Sequence, residues 1–225
     1  YYEKDGQIYQ NHEEGKARKL ATLNTFFGYF HKKEMIQKNA PSVVDVPRVK
    51  EKNIIRLDAN EVAQLIDNIE SGEKLTKQQK VWHERNKARD LAIVVTLLGT
   101  GVRVTELVGL DLSDLDFDNG AMRVIRKGGN EDIVYFGEET EEMLRNYLDE
   151  RMKMTPAPGH ENALFISQNN TRITVRSVER LVKKYASTAT VKKITPHKLR
   201  STYGTALYQE TGDIYLVADV LGHKN

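Results

Sequence analysis

The chain has 225 residues, a net charge of +2, 39% hydrophobic and 29% charged residues, and no cysteine. That apolar fraction suits a globular chain with a real core, while the missing cysteines exclude disulfides, thiolate catalysis and cysteine-ligated metal sites and fit a reducing cytoplasm. No apolar run reaches the ~18 residues of a membrane span, the longest running only from Leu91 to Leu98, and the opening YYEKDGQIYQ carries no signal-peptide pattern.

In chain order, residues 16–37 read as an amphipathic helix. Leu20, Leu23, Phe27 and Phe30 recur at helical spacing and Phe26 widens the stripe. Pro41 and Pro47 then break the chain, so 41–57 is the expected linker between the end of one unit (1–40) and a larger unit (58–225). Asp58 with Glu61 forms a capping-box pattern, and Val62, Leu65, Ile66 and Ile69 supply the buried face of the helix that follows. Residues 87–98 read as a buried helix ended by Gly99 and Gly101. Over 121–136 the period changes: AMRVIR and EDIVYF are strand-like, and KGGN between them gives a β-hairpin. Residues 140–153, 175–187, 196–210 and 213–221 read as helices, so the fold class is mainly α with a small antiparallel β-sheet.

The small net charge conceals a polarised chain. Residues 16–56 hold ten Lys/Arg against three acids and residues 172–200 nine against one, while 131–150 hold eight acids against one Arg. Two such basic segments on one face suit a polyanion; otherwise they are solvated helix faces.

Three short patterns carry chemistry. In ITPHKLRSTYGTAL, Thr195 is a candidate N-cap with Pro196 at the first helical position. His197 and Arg200 then share a face at a helix start, a setting for a phosphate. His223 follows Gly222, the candidate helix terminator in LGHKN. In LLGTGVRVTEL, Arg103 follows a glycine break and Glu106, three residues on, is placed to orient its guanidinium. In VIRKGGNEDIVYF, Lys127 sits at the hairpin tip, with Arg126 the alternative.

Taken together and in this order, these patterns resemble the tyrosine recombinase (phage integrase) family over about residues 16–225: an Arg in G-x-R-x-x-E-L, a hairpin Lys, H-x-x-R at a helix start, then L-G-H. The resemblance implies that residues 1–40 end a DNA-clamping core-binding domain and that 58–225 form a catalytic domain. It implies a site-specific recombinase that cuts and rejoins DNA through a 3′-phosphotyrosyl bond for integration or excision of a mobile element. The family's tyrosine falls roughly nine residues after the L-G-H histidine, so here it is expected beyond Asn225, and the fragment alone is expected to be inactive. Arg103 and Arg200 are expected to clamp the non-bridging oxygens, His197 to hydrogen-bond the phosphate or help deprotonate the tyrosine, His223 to hydrogen-bond the phosphate from its other face, and Lys127 to protonate the leaving oxygen. Arg172 and Arg176 are candidate DNA contacts. No cofactor and no metal is expected. The partners implied are double-stranded DNA, further copies in a homotetramer on synapsed DNA, and an excisionase or DNA-bending protein, with no membrane and a place in the bacterial cytoplasm and nucleoid. The alternatives are a catalytically inactive DNA-binding regulator of the same fold and a type IB topoisomerase.

Other residues read as structural. Tyr203 packs in the core, Tyr208 and Tyr215 are poor nucleophiles because they precede His223, and His12, His31, His83 and His160 read as surface residues without metal-ligand spacing.

Overall fold

The computed structural model describes residues 2–49 and 53–222 and divides the chain into two units, 1–53 and 54–225. In the first, strands β1 (Tyr2–Lys4) and β2 (Gln7–Tyr9) pair antiparallel around Asp5-Gly6. Both turn residues have positive φ (52° and 72°), the conformation for which Asp-Gly is favoured. This hairpin is too short to show a period and was not expected. Helix α1 (Glu13–Lys32) starts earlier and ends earlier than the 16–37 pattern. Its end is fixed by the backbone: Glu34 turns to φ 58°, and Met35 N–H closes back on Phe30 O at 3.0 Å, a Schellman-type stop that apolar spacing does not register. Along α1, the Phe26 ring meets Phe27 edge-on and Phe30 at a tilt, with centroids 5.5 and 4.9 Å away.

The second unit is helical, with one small sheet. Helix α2 (Ala59–Ser71) opens on the expected capping box: Asp58 N–H donates to Glu61 and Glu61 N–H to Asp58, both at 2.9 Å. Leu65 and Ile69 are fully buried from it. Helix α3 (Lys77–Thr100) is twice as long as its apolar run suggests. Its polar first half, KQQKVWHERNKARD, has no stripe to read, and a second capping box, Thr76 with Gln79, starts it. The apolar half forms the centre of the domain, with Ile93, Val94 and Leu97 fully buried. Each such side chain contributes roughly 1.5–3 kcal/mol on burial.

A short helix α4 (Val104–Gly109) leads into the antiparallel sheet β3 (Leu115–Asp116), β4 (Ala121–Ile125) and β5 (Glu131–Tyr135), in the order β3-β4-β5. Helices α5 (Glu138–Arg151), α6 (Val175–Ala189), α7 (Pro196–Thr211) and α8 (Ile214–Val220) complete the unit. This unit is therefore mainly α with a three-stranded antiparallel sheet, of which only β3 was not anticipated.

One reading needs correction. His83 is buried, not at the surface. Its Nδ1 lies 3.1 Å from Tyr185 Oη, and burial lowers its pKa. It sits in the polar half of α3, where nothing in the sequence shows that α6 will cover it.

Candidate functional site: an arginine cluster at the α4, hairpin and α8 junction

The site is built from helix ends. Helix α3 stops at Gly101, which has φ 61°; a Cβ there would lie 2.4 Å from the Tyr203 ring, so conformation and close packing both require glycine. The turn delivers Arg103 as the residue capping α4. Its backbone N–H donates to Glu106 Oε2 at 2.7 Å, and its Nη1 donates to Glu106 Oε1 at 2.8 Å. Glu106 thus caps the helix and orients the arginine at once. The carboxylate is buried, whereas the Arg103 side chain remains 34% exposed. Its Nη2 reaches the carbonyl of Gly222 at 3.4 Å.

Arg200 enters from the first turns of α7, below Thr195 and Pro196, which take the N-cap and first helical positions. It is buried. One Nη donates to Gly101 O and the other to Leu221 O. Burial pushes its pKa down to about 10, helped by the positive charges of Arg103 and Arg126 and opposed by Glu106. At neutral pH it stays charged.

Arg103 and Arg200 therefore meet at the Leu221–Gly222 corner that ends α8. His197 is exposed in the first turn of α7, three residues before Arg200. His223, which follows the corner, lies outside the described residues.

The hairpin separates Lys127 from Arg126. Along β4 the inward positions are Met122 and Val124, and the same alternation carries Arg126 inward and Lys127 outward. Lys127 is exposed at the turn and has no protein partner among the described residues. Arg126 is buried; its Nη1 donates to Glu106 Oε2 at 3.0 Å, its Nε to Asp132 at 2.9 Å and its Nη2 to Val220 O at 3.2 Å. The part Arg126 plays was missed in the sequence, although the strand period contained the signal.

The two candidate DNA contacts differ. Arg176 is exposed at the start of α6. Arg172 is turned inward: its Nη1 donates to the carbonyls of Val108, Gly109 and Leu110 at 3.1, 3.0 and 2.8 Å, and its Nη2 to Asp111. It holds the end of α4. Tyr203 packs against Gly101, and Tyr208 and Tyr215 are exposed. Among the described residues, no helix is long and apolar enough to cross a membrane, and no three His, Cys, Asp or Glu stand where a metal ion would need them.

A mainly helical domain that gathers arginines from G-x-R-x-x-E and H-x-x-R segments at one corner, beside a hairpin lysine, is the catalytic-domain architecture of the tyrosine recombinases. The comparisons agree. The phage integrase family model matches residues 55–225, and the chain belongs to that family, the tyrosine site-specific recombinases. It is 33% identical over 218 residues to tyrosine recombinase XerC of Corynebacterium glutamicum, covering 95% of this chain and 67% of the relative. It is 39% identical over 180 residues to tyrosine recombinase XerS of Streptococcus agalactiae, covering 79% of this chain and 50% of the relative. The chain thus spans between half and about two thirds of these relatives' lengths. Among solved structures it resembles the Tn1549 transposon integrase in complex with circular intermediate DNA (TM-score 0.70, 25% identity, 95% of this chain and 72% of that one). It also resembles the XerA recombinase (TM-score 0.65, 26% identity, 92% of this chain and 75% of that one).

Proposed function

We propose that this chain is the catalytic part of an enzyme that cleaves and rejoins DNA strands through a 3′-phosphotyrosyl intermediate, in the integration and excision of a mobile element. The observation that carries the reading is the meeting of Arg103 and Arg200, 97 residues apart in the chain, at adjacent carbonyls of the Leu221–Gly222 corner, with Glu106 buried behind Arg103. The mobile-element assignment draws on the likeness to the transposon integrase; the likeness to the tyrosine recombinases XerC and XerS supports the recombinase chemistry without that assignment.

In this reading residues 1–40 close a DNA-clamping domain, 41–57 link, and 58–225 form the catalytic domain. The tyrosine, supplied from beyond Asn225, attacks the phosphorus as its proton passes to His197. The bond to the 5′-oxygen breaks, and that oxygen takes a proton from Lys127. Negative charge on the non-bridging oxygens meets the exposed fork of Arg103, the buried charge of Arg200 and the imidazole of His223. A 5′-hydroxyl reverses the step, so the bond energy is conserved without a nucleotide cofactor. The expected partners are double-stranded DNA, three further copies on synapsed DNA and an accessory DNA-bending or excision protein, in the cytoplasm.

The test is covalent trapping of the full-length protein on a nicked DNA site. Arg103→Ala and Arg200→Ala should each lower adduct formation by ~10²–10³, the usual cost of losing one transition-state contact, while gel-shift affinity changes little. Adduct at the parental rate in both variants would remove the assignment.

A further inference from the structure

Arg126 is held by both its backbone and its side chain. Its backbone closes the hairpin turn: its N–H donates to Asn130 O at 2.8 Å, and its carbonyl accepts from Gly129 N–H at 3.0 Å. Its side chain then joins three separate elements. Nε holds Asp132 on β5, Nη1 holds the buried Glu106 of α4, and Nη2 holds Val220 O at the end of α8. The fourth contact is steric: Gly222 lies against the guanidinium, and a Cβ there would stand 3.0 Å from its Cζ and Nε. The next residue is Lys127, one peptide unit or ~3.8 Å along the chain, with no protein partner among the described residues.

A lysine at the tip of an isolated two-stranded hairpin is poorly placed for proton transfer, since such hairpins are marginal structures and a general acid must come within hydrogen-bond reach of its oxygen. Here the last anchored residue before the lysine is tied to the carboxylate that orients Arg103 and to the corner where Arg200 and Arg103 meet. We propose that Arg126 is a positioning residue: it fixes the hairpin so that Lys127 stands at a set distance from the arginine-held phosphate. Asp132 is its outer anchor. The inference rests on the reading of Lys127 as general acid, and the experiment separates the two.

The chemical handle is the leaving group. A 5′-oxygen departing as an alkoxide, about as basic as hydroxide, needs a proton, whereas a 5′-bridging sulfur, with a thiol pKa of roughly 8.5, leaves without one. Single-turnover cleavage by the full-length protein is measured on both substrates. Lys127→Ala should fall ~10²–10⁴-fold on the oxygen substrate and return to within a few-fold of the parent on the sulfur substrate. Arg126→Ala should show the same signature with a smaller fall, on the order of 10–100-fold, with Arg126→Lys between it and the parent. Asp132→Asn, altered at a half-exposed carboxylate, should show the same recovery from a fall of a few-fold, and carries the test if Arg126→Ala does not fold. Arg103→Ala, which acts on the phosphate, should not recover. If Lys127→Ala recovers on sulfur while the Arg126 and Asp132 variants are depressed equally on both substrates, or not depressed at all, the positioning role is wrong and the general acid stands. If Lys127→Ala itself fails to recover, the general acid is elsewhere and the proposal falls with it.

Discussion

Two buried arginine–carboxylate clusters lie in the second unit, and they are put to opposite uses. Around Glu106 gather Arg103 and Arg126, with Arg200 close enough to feel both charges. Around Asp90 gather Arg89, Lys184 and the Tyr185 hydroxyl. The second borders the larger opening, a cavity of about 400 Å³ lined in part by Trp82, Asn86, Arg180 and Lys184. Between the two clusters, size alone would favour it, since the opening beside Glu106 is only about 50 Å³. Its donors are nevertheless committed: Arg89 gives Nε and Nη2 to Asp90 at 3.2 and 2.7 Å and Nη1 to Ile166 O at 2.9 Å. Tyr185, whose hydroxyl bonds Asp90 at 3.0 Å, is held protonated far above its ordinary pKa, first by burial and then by that carboxylate. Lys184 and Tyr185 lock α6 to α3 through Asp90, and Arg89 ties α3 to the segment before α6. The Glu106 cluster keeps positive charge facing outward, because one buried carboxylate serves two arginines and the Arg103 fork is a third exposed. What marks a phosphate site is charge left over after internal pairing, more than the volume beside it.

The sharpest way to break this comparison is to remove one member from each cluster. Asp90→Ala strands a buried guanidinium and should cost roughly 3–5 kcal/mol of stability, read as a large fall in the thermal midpoint, with any residual folded protein still able to cleave. Arg103→Ala should leave the midpoint nearly unchanged while adduct formation collapses. If the stability and activity losses instead travel together in both variants, the division of labour is false.

How far the sequence disclosed this follows from which signals are local. The helix starts at Asp58 and Thr195 and the terminator at Gly222 are short-range patterns, and each is where the residues place it. The motif arginines were legible because their context is local too. The polar half of α3 and the burial of His83 were not, since both depend on α6 arriving from about a hundred residues away. Arg126 stands between: its inward direction follows from strand alternation, but its three partners come from α4, β5 and α8, and only the fold brings them together. Arg172 shows the opposite case, a basic residue in a basic segment whose surroundings turn it from solvent to carbonyls.

That contrast gives a middle-sized prediction. Arg172→Ala leaves three carbonyls at the end of α4 without their donor and should lower stability by roughly 1–3 kcal/mol. Arg176→Ala should leave the midpoint within about 0.5 kcal/mol of the parent. In DNA binding the order should reverse: at permissive temperature the loss of exposed Arg176 weakens affinity and flattens its salt dependence, whereas loss of Arg172 changes neither. A salt-dependent gel-shift series on both variants decides it; a larger affinity loss for Arg172→Ala would return that residue to the DNA surface.

The smallest effect concerns a carboxylate that belongs to neither cluster. Glu61 accepts from Lys192 at 2.5 Å, Thr190 at 2.6 Å and Asp58 N–H at 2.9 Å, so the start of α2 is tied to the loop after α6. These bonds, led by Lys192 and Thr190, hold its pKa down from 4.5 to about 2. A carboxyl with a folded pKa below its unfolded value binds fewer protons when folded, so it stabilises fully above about 4.5 and loses that contribution as pH falls towards about 2. Because the pair lies near solvent, the gain at neutral pH is on the order of 1 kcal/mol. Glu61→Gln should therefore melt a few degrees below the parent at pH 7, and the gap should close steadily between pH 4.5 and 2. A gap that stays constant over that window would mean that geometry, through the cap and the Thr190 contact, carries the stabilisation and the charge on Glu61 adds nothing.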